Sequence, residues 1–498
     1  MSFLRLPREL RDEIYEYYVL QPWPYHYDHD SGKLTTADKQ RIDLQLSYVC
    51  KQIASEFWGV ALRINGIAFT TAPLEHGISS NSSRFDTIVD EYYELMTALL
   101  DHGRGCISEP LQREAEGLFP ASAAMLRHLT NRSIPRRSYQ EDHSTVKLWS
   151  QNTSSHLRFI VHMVQKLQAE PGFSEAASRA VEGLKRRHAR SLEVIPFLDF
   201  KLWNIPNDDA LNALESICSP PDPSSVAGRR RQVRCFSAAA LSVRFLRSLP
   251  DTIRNSVRSI VLHEEHLGAA HPECHITGLV PFCVANPRLR IERRVDLWHT
   301  VLPSARRLRH RNGTDSLRFA VAMYINHGVE ALPRQLVTEA IVPWIDEALA
   351  LPAAGMPSGA FSLIIDSTPD NVEKVVNIVR QDVAWQDALE HNFERNTLQQ
   401  PVPHPDNEYA GHRGYPLHFS DKFPCKVRDI LQNKSCVSFN GATEECWDVQ
   451  EVIEANQNCR THAAWIQKWE QMQPRIVEPS PPLPTWEEIR GRYKMHQD

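Results

Sequence analysis

The chain lacks any long uninterrupted apolar stretch. Of its 498 residues, 42% are hydrophobic and 23% are charged, yet nowhere do about 18 uncharged apolar residues follow one another, as a membrane-spanning helix requires. The opening residues also lack the apolar centre of a signal peptide, because arginine and acidic side chains are interspersed through residues 5–13. We therefore expect a cytoplasmic or nuclear protein that does not contact a membrane.

Regular cysteine spacing is also absent. The ten cysteines are spread between Cys50 and Cys459, and no two of them are separated by only two residues. This is not the spacing of a disulfide framework or of a zinc ribbon. The sequence instead predicts reduced thiols, most of which pack as small hydrophobic side chains.

Motifs of nucleotide binding and nucleophilic catalysis are missing as well. The chain has no GxxxxGK loop and no GxSxG turn, and the glycines of "HGRG" at residues 102–105 follow a predicted helix rather than a strand. No nucleophile or general base stands out from its surroundings. We therefore predict a protein that is not an enzyme and that needs no cofactor.

One cluster has the residue types of a metal site. "HEEHLGAAHPECH", residues 263–275, offers imidazole, carboxylate and thiol groups, which are the ligands that zinc prefers. Its second histidine follows the first by three positions rather than four, and Gly268 and Pro272 interrupt any helix, so the pattern is not that of a zinc protease. We predict a polar strand end and loop without metal, with a zinc site as the alternative. The candidate ligands are His263, Glu264, Glu265, His266, His271, Glu273, Cys274 and His275.

What the sequence does contain at its start is an amphipathic helix. Pro7 suits the first helical turn, where a missing N–H costs nothing. Beyond it Leu10, Ile14 and the pair Tyr17 and Tyr18 recur at helical spacing, with charged residues between them. A helix of about three turns is marginal by itself in water. The pattern therefore predicts that this apolar stripe is buried against a neighbour.

The neighbour is predicted after a polar, turn-rich insert at residues 21–43 that has no period. "LQLSYVCKQIASEFWGVALRI", residues 44–64, has the pattern of a second amphipathic helix. "GIAFTT", residues 66–71, has that of a short strand. The predicted apolar face of the second helix comprises Leu46, Val49, Cys50, Ile53, Phe57 and Val60.

Two motifs in these helices carry a family resemblance. "LPRELRDEI" at residues 6–14 and "VCKQIASE" at residues 49–56 resemble the first and last helices of an F-box, in the F-box-like form found at the N-termini of uncharacterised proteins of filamentous fungi. The resemblance covers about 70 of the 498 residues. It departs from the F-box pattern in the middle, where the insert at 21–43 replaces a compact leucine-bearing helix.

The resemblance implies a docking module. F-box helices bind the Skp-type adaptor of cullin–RING ubiquitin ligases, and the rest of such a chain captures a protein substrate. Two other interpretations stay open, in which these residues form the internal core of a small helical cap or contact a different partner. By position in the two motifs, the implied partner-binding residues are Leu6, Pro7, Leu10, Ile14, Val49, Cys50 and Ile53.

The remaining chain is predicted in three parts. Residues 85–217 are mostly helical by period, a segment rich in Pro, Ser and Gly at 218–231 marks a boundary, and strand and helix patterns alternate from 230 to 473. Residues 474–498 begin with a Pro-rich spacer and end in a short helix. With the F-box-like helical element at 1–75, this predicts a helix-rich α+β protein with a helical region and a mixed α/β region.

Individual elements of these parts are predicted from composition. "LEVIPFLDFKLW" at 192–203, "SVRSIVLHEE" at 256–265 and "FSLIIDS" at 361–367 are predicted strands because they are rich in branched and aromatic residues. "RQLVTEAIVPWIDEALA" at 334–350 has the period of a helix.

Arginine is concentrated in residues 229–311, which hold 16 arginines and six acidic residues. On the predicted strand "RLRIERRVDL", residues 288–297, Arg290, Glu292 and Arg294 share one face, which indicates a charged, solvated surface. Binding of nucleic acid or an acidic partner through this region is the alternative function, although a net charge of −5 disfavours nucleic acid. The leading prediction is a noncatalytic protein-interaction protein.

Overall fold

The structure of the chain is given by a computed structural model. The predicted boundary at 218–231 and the C-terminal segment 474–498 lie almost entirely outside the residues that it describes. The described residues are 3–71, 81–130, 153–183, 195–198, 201–218, 234–303, 332–399, 417–441, 445–472, 476–477, 484 and 488.

The protein is a helix-rich α+β protein, which confirms the predicted fold class. None of the described helices combines the length and the apolar character needed to cross a bilayer. Short 3-10 helices lie at Phe3–Arg5, Gln45–Tyr48, Arg104–Cys106, Pro120–Ser122, Ile195–Phe197 and Pro272–Leu279, and a π-helical turn at Leu297–Val301. The α-helices are α1 (Arg8–Val19), α2 (Lys51–Phe57), α3 (Val60–Ile64), α4 (Asn81–Gly103), α5 (Glu109–Leu118), α6 (Ala123–Thr130), α7 (Thr153–Leu167), α8 (Phe173–Gly183), α9 (Asp208–Cys218), α10 (Ala238–Ser248), α11 (Asp251–Arg254), α12 (Val280–Ala285), α13 (Gln335–Ala350), α14 (Pro369–Glu394), α15 (Phe423–Leu431), α16 (Val449–Ala455) and α17 (His462–Gln471).

Seven of the nine described strands form one sheet, in the order β2-β1-β3-β4-β5-β7-β8. β2 is antiparallel to β1, and every other neighbouring pair is parallel. β6 and β9 form a separate antiparallel pair. The strands are β1 (Tyr25–Asp28), β2 (Lys33–Thr35), β3 (Ile67–Thr70), β4 (Ser259–Glu264), β5 (Arg290–Asp296), β6 (Leu332–Pro333), β7 (Phe361–Asp366), β8 (Val437–Phe439) and β9 (Ile476–Val477).

The parallel strands follow chain order across the sheet without a reversal. Crossovers between parallel strands are right-handed in nearly all proteins. When successive right-handed crossovers advance in one direction, the connecting helices all lie on the same face of the sheet. A doubly wound sheet differs, because its strand order reverses and its helices cover both faces.

The helix-covered face of the sheet holds the main hydrophobic core. Phe69, Leu262, Leu363 and Val437 lie in one row of the strand register, with Arg293 in the middle of that row. All four apolar side chains belong to one buried cluster, which also contains residues of α10, α12, α13, α14 and α15. Burial of this face is therefore what holds the sheet and its helices together.

The opposite face of the sheet is different within the described residues. In β4, β5, β7 and β8 its side chains alternate with the core residues, are partly buried or exposed, and belong to none of the hydrophobic clusters, whereas Ala68 of β3, in register with Val261, is buried. Parallel sheets normally have both faces covered. We call this surface the open face, and it comprises Val261, His263, Glu292, Arg294, Ser362, Ile364, Asp366 and Ser438.

The helical region is built around α4. Helices α7, α8 and α9 pack on it, and the resulting buried cluster includes Tyr92, Met96, Phe159 and Met163. The cluster also contains Cys274, which lies after β4. The helical region therefore packs directly against the sheet region.

The first strands join the F-box-like range to the rest of the protein. β1, β2 and β3 come from residues 1–75, and they lie in the same sheet as β4, β5, β7 and β8. β1 and β2 form a hairpin inside the insert at 21–43, where the sequence indicated only turns. The insert is thus a sheet edge rather than an irregular loop.

Two local predictions were wrong. The predicted helix at 44–64 is broken at Gly59, whose φ of 72° is left-handed and whose position allows no side chain, because a Cβ there would lie 2.4 Å from the Ser256 Oγ. The predicted strand at 192–203 contains a 3-10 helix at Ile195–Phe197 instead. Composition favoured a strand there, but Pro196 cannot donate a ladder hydrogen bond.

A buried ion pair ties three elements of the sheet region together. The Arg293 Nη2 lies 2.7 Å from the Glu264 Oε1, and both side chains are at most 2% exposed. The Glu264 carboxylate also accepts hydrogen bonds from the backbone N–H groups of Ala238 and Ala239, at 3.0 and 3.3 Å. These donors form the first turn of α10, where a negative charge is favourable. Glu264 therefore links β4, β5 and α10.

We expect Glu264→Ala to destabilise the protein by about 3–5 kcal/mol, because it leaves the Arg293 charge buried without its partner. Urea unfolding of the full chain measures the free energy. Glu292→Ala is the matched control, since Glu292 pairs with Arg294 at the surface and its removal should cost at most about 1 kcal/mol. Equal destabilisation by the two variants would contradict the assignment.

Candidate functional site

The first helix buries a different face from the one that the sequence indicated. Arg11, Tyr15 and Val19 are its buried residues, whereas Leu10 and Ile14 are 45% and 41% exposed. The prediction that the apolar stripe packs inward was therefore wrong. The reason lies in Arg11, because a charged side chain can occupy an inward position when its charge is fully paired.

Glu56 of α2 is the partner that makes this possible. The Arg11 guanidinium donates to both of its oxygens, with Nε–Oε2 and Nη2–Oε1 distances of 2.9 and 2.6 Å. The Tyr15 hydroxyl donates to the Oε2 atom at 2.9 Å. Bidentate pairing of this kind fixes geometry as well as charge. The hydrogen bond from Arg11 lowers the pKa of Glu56 to about 2, while burial and the bond to Glu56 raise the pKa of Tyr15 to about 12.

The C-terminal end of α1 is held by Asn65. Its Nδ2 donates to the carbonyl oxygen of Val19 at 2.9 Å, and its Oδ1 accepts from the N–H of Gln21 at 2.9 Å. Tyr15 packs edge-on against Phe57, with ring centroids 5.6 Å apart. Both ends of the helix are therefore fixed, and so is the direction in which its outer face points.

Exposed apolar side chains are concentrated at this end of the chain. Of the 15 large hydrophobic residues exposed in the described part, 11 lie between residues 4 and 58. Monomers seldom leave so much apolar surface in one region unless a partner covers it. We define the apolar patch as the exposed residues Leu10, Ile14, Tyr17, Tyr18, Leu44, Tyr48 and Val49.

The two halves of the apolar patch meet at Tyr18. Its side chain forms a hydrogen bond with Asp43, and Leu44 and the 3-10 helix Gln45–Tyr48 follow directly. That hydrogen bond is the main reason why the pKa of Tyr18 rises to about 12. α1 and the segment leading into α2 therefore contribute to one continuous region of the surface.

The residues implied by the resemblance are divided between the surface and the core. Leu10, Ile14 and Val49 are exposed. Cys50 is partly buried, and its Sγ accepts from the N–H of Ile53 at the start of α2. Ile53 is only 4% exposed and packs in the core, so it does not face a partner. Leu6 is partly buried and Pro7 exposed.

The exposed aromatic residues were missed as partner-binding candidates. Tyr17 and Tyr48 are 77% and 85% exposed. Their positions carried a signal, since Tyr17 follows Ile14 by three residues and Leu10 by seven on the same face of α1. The sequence did not reveal that this face of α1 points to solvent rather than to the core.

The candidate ligands at 263–275 make separate contacts, and they range from buried Glu264 to exposed Glu265. Glu264 pairs with Arg293, and His271 lies 3.2 Å from the Glu273 carboxylate. The structure does not bring these candidate ligands together. Among the described residues, three ligand-type side chains lie within coordination distance of one another at the end of the hairpin: Asp28, His29 and Asp30. Exposed acidic residues often cluster in this way without a metal.

One contact within this cluster has the residue types of a catalytic pair. The Ser237 hydroxyl lies 2.7 Å from the His275 Nδ1, and the His275 Nε2 lies 2.8 Å from the carbonyl oxygen of Ala270. Both side chains are at most 1% exposed, and burial lowers the pKa of His275 to about 3. A substrate carbonyl cannot reach the Ser237 Oγ without displacing the core. We therefore assign this pair to holding the loop after β4.

The described arginines of residues 229–311 do not form one continuous basic surface. Arg234 and Arg293 are buried in ion pairs. Arg294 pairs with Glu292 at 2.7 Å on the open face. Each of these charges is thus balanced within the protein, and the region offers less free positive charge than its composition indicated.

A smaller basic group remains at the N-terminal ends of β4 and β5. Burial, followed by the positive charges of Arg288 and Arg63, lowers the pKa of Arg258. Arg288 and Arg290 are exposed. Arg288 precedes β5, whereas Arg290 is its first residue and lies on the same face as Glu292 and Arg294.

The Arg11–Glu56 pair predicts a pH dependence. The pKa of Glu56 falls from 4.5 to about 2 in the folded chain, so its stabilising contribution is complete above about pH 4.5 and disappears as the pH falls toward 2. We expect Glu56→Gln to lower the thermal midpoint at pH 7, and the difference from wild type to shrink as the pH falls below 4.5. The measurement is thermal unfolding of both proteins between pH 7 and pH 3.

Glu16→Gln is the matched control for this experiment, because Glu16 is exposed and lies 3.5 Å from Arg63. It should leave the midpoint unchanged at every pH. A Glu56→Gln effect that is the same at pH 7 and pH 3 would show that the carboxylate charge plays no part.

No protein-family model, no curated protein and no solved structure matches this chain. The resemblance to F-box-like proteins therefore stays an expectation, and the function has to be inferred from the geometry of the described residues.

Proposed function

We propose that this protein is a noncatalytic interaction protein that docks on a Skp-type adaptor of a cullin–RING ubiquitin ligase through its apolar patch. The observation that carries the proposal is the outward orientation of Leu10 and Ile14. An adaptor-binding surface has to be accessible, and these residues are accessible because Arg11 and Glu56 fix the opposite side of α1.

The energetics favour a partner over solvent at this surface. Covering one large apolar side chain contributes about 1.5–3 kcal/mol, so burying several residues of the apolar patch yields a stable complex even after the cost of association. Tyrosine is abundant in interface centres because it combines a large apolar ring with a hydroxyl group. Tyr17, Tyr18 and Tyr48 give the apolar patch this composition.

The second half of the proposal concerns the captured protein, which we place on the open face. Ile364 provides an apolar centre, and Arg294 lies beside it in the register of β5 and β7. Arg294 reaches Glu292 at 2.7 Å and Asp366 at 3.5 Å. An apolar centre with a rim of ordered charges is typical of a protein-binding surface.

The alternative function, binding of nucleic acid or an acidic partner through residues 229–311, has less support. It needs a continuous positive surface, and the described arginines of that range are divided among buried ion pairs, the open face, the N-terminal end of β5 and the exposed side of α10, where Arg244 and Arg247 lie. We therefore do not adopt it.

The adaptor interaction is tested by affinity measurement with purified adaptor and the full chain. We expect Leu10→Asp/Ile14→Asp to weaken binding about tenfold or more, because covering the exposed 45% and 41% of these side chains contributes about 1.3–2.6 kcal/mol in total and 1.4 kcal/mol corresponds to a factor of about ten. Both side chains are exposed, so the variant should keep the circular dichroism spectrum and thermal midpoint of the wild type.

Leu118→Asp/Phe197→Asp is the matched control, since these residues are 58% and 60% exposed but lie outside the apolar patch. It should bind the adaptor as the wild type does. A folded wild-type chain that does not bind the adaptor would refute the proposal.

The open face is tested with a photocrosslinking amino acid placed at Ile364 in the full chain. We expect it to capture a specific protein in cells, and Arg294→Glu to abolish the capture because it reverses the central charge of this surface. The captured protein should no longer be ubiquitinated when the chain carries Leu10→Asp/Ile14→Asp. Capture of the same protein from position 118, or ubiquitination that does not depend on the apolar patch, would contradict this assignment.

A further inference from the structure

A cavity of about 580 Å³ lies away from both proposed protein-binding surfaces. It is formed between the first turns of α4, the segment 201–206 and the facing sides of α9 and α10. Sites for small molecules typically have volumes of about 300–1,000 Å³. The cavity therefore has the size of a ligand site, and neither the docking function nor the open face uses it.

Its walls are apolar. Phe85, Leu198, Trp203, Ile205 and Leu214 are buried or partly buried where they line it. The Trp203 ring packs directly on Gly278, where a Cβ would lie 2.6 Å from the Trp203 Cδ1. The cavity thus offers an aromatic surface to an apolar ligand.

Its rim is cationic. Lys201, Arg244 and Arg247 are the charged residues that line the cavity, all three are exposed, and none of the described lining residues carries a carboxylate. Arg244 and Arg247 are three residues apart and so lie on the same side of α10. The Arg247 Nη1 donates to the Asn204 Oδ1 at 2.9 Å, which fixes its guanidinium group at the mouth.

Arg244 is a rim residue whose charge is not paired in the part of the chain that the structure describes. α9 carries Asp208, Asp209 and Glu215, of which Asp208 and Glu215 pair with Arg84, at 3.2 and 3.0 Å. Within the described residues Arg244 has no ion pair or hydrogen bond to a side chain. The positive charge of Arg244 therefore stays available to a ligand.

We propose that this cavity binds a small amphipathic carboxylate, with its hydrocarbon part against the Trp203 wall and its carboxylate between Arg244 and Arg247. Apolar walls account for the hydrocarbon part, and paired guanidinium groups suit a carboxylate. A polar nucleotide base would find Asn204 as the one uncharged polar side chain among the described lining residues. The protein is thus a receptor for a fatty-acid-like anion, independently of the docking function.

The test is calorimetric titration of the full chain with decanoate and, in parallel, with decyltrimethylammonium, which has the same chain length and the opposite charge. We expect decanoate to bind and the cation not to bind. Arg244→Gln/Arg247→Gln should weaken decanoate binding by about tenfold, the combined effect of two partly exposed charge pairs. Arg288→Gln/Arg290→Gln, exposed at the N-terminal end of β5, should leave it unchanged.

The cavity itself is tested by filling it. Ala213 lines the mouth and is accessible there, so Ala213→Phe should block binding without unfolding the chain. Ser216→Phe adds the same ring to an exposed position of α9 outside the lining and should bind normally. Equal binding of the two detergent-like ions, or unchanged binding by Ala213→Phe, would overturn the proposal. Adaptor binding is measured on the same variants and is expected to be unaffected, so the two proposals fail separately.

Discussion

The direction in which the sheet is wound governs the rest of this structure. Six parallel strands follow chain order from β1 to β8, and right-handed crossovers that always advance the same way place their helices on one face. The core, with Phe69 and Leu363 in its central row, belongs to that face. The other face is left to partly exposed side chains such as Arg294 and Ile364. The partly exposed face on which we propose that a protein binds is thus a consequence of the strand order.

Two carboxylate–arginine pairs do the positioning that apolar contacts alone cannot do. Apolar burial stabilises, but it is not directional, whereas several charge-assisted hydrogen bonds to one carboxylate fix the orientation of the groups that they join. Arg293 and Glu264 set β5 and β4 against the start of α10, and Arg11 and Glu56 set the rotation of α1 about its own axis. The second pair decides which face of α1 is exposed, because a helix rotated by half a turn would bury Leu10 and expose Arg11.

The sequence predicted elements well and surfaces poorly. The helix beginning near Pro7, the strand at 361–367 and the helix at 334–350 were predicted correctly because the period of a local segment determines them. The sheet order was not predictable, since β3 and β4 are neighbours although residues 71–258 separate them along the chain. The motif at 6–14 named Leu10 and Ile14, but hydrophobic period assigned them to the core. The rule that the apolar face of a helix points to the core fails here, because Arg11 is buried in place of the apolar residues. Its partner Glu56 is distant in the sequence, so nothing near residue 11 signals the pairing.

The apolar patch and the open face are joined through one continuous sheet. β1 follows α1 directly and pairs with β3, which pairs with β4, so hydrogen-bonded strands and not a linker join the docking helix to the open face. In the proposed function, ubiquitin transfer depends on the distance between the ligase and the captured protein, and holding two reactants in a fixed geometry raises their effective concentration. A flexible linker would lower it, because the closure entropy of the linker opposes the productive arrangement. Under this proposal the hairpin at 21–43 has a role of its own, since it belongs to the sheet that joins α1 to the open face and makes the spacing between the two proposed partners a property of strand register.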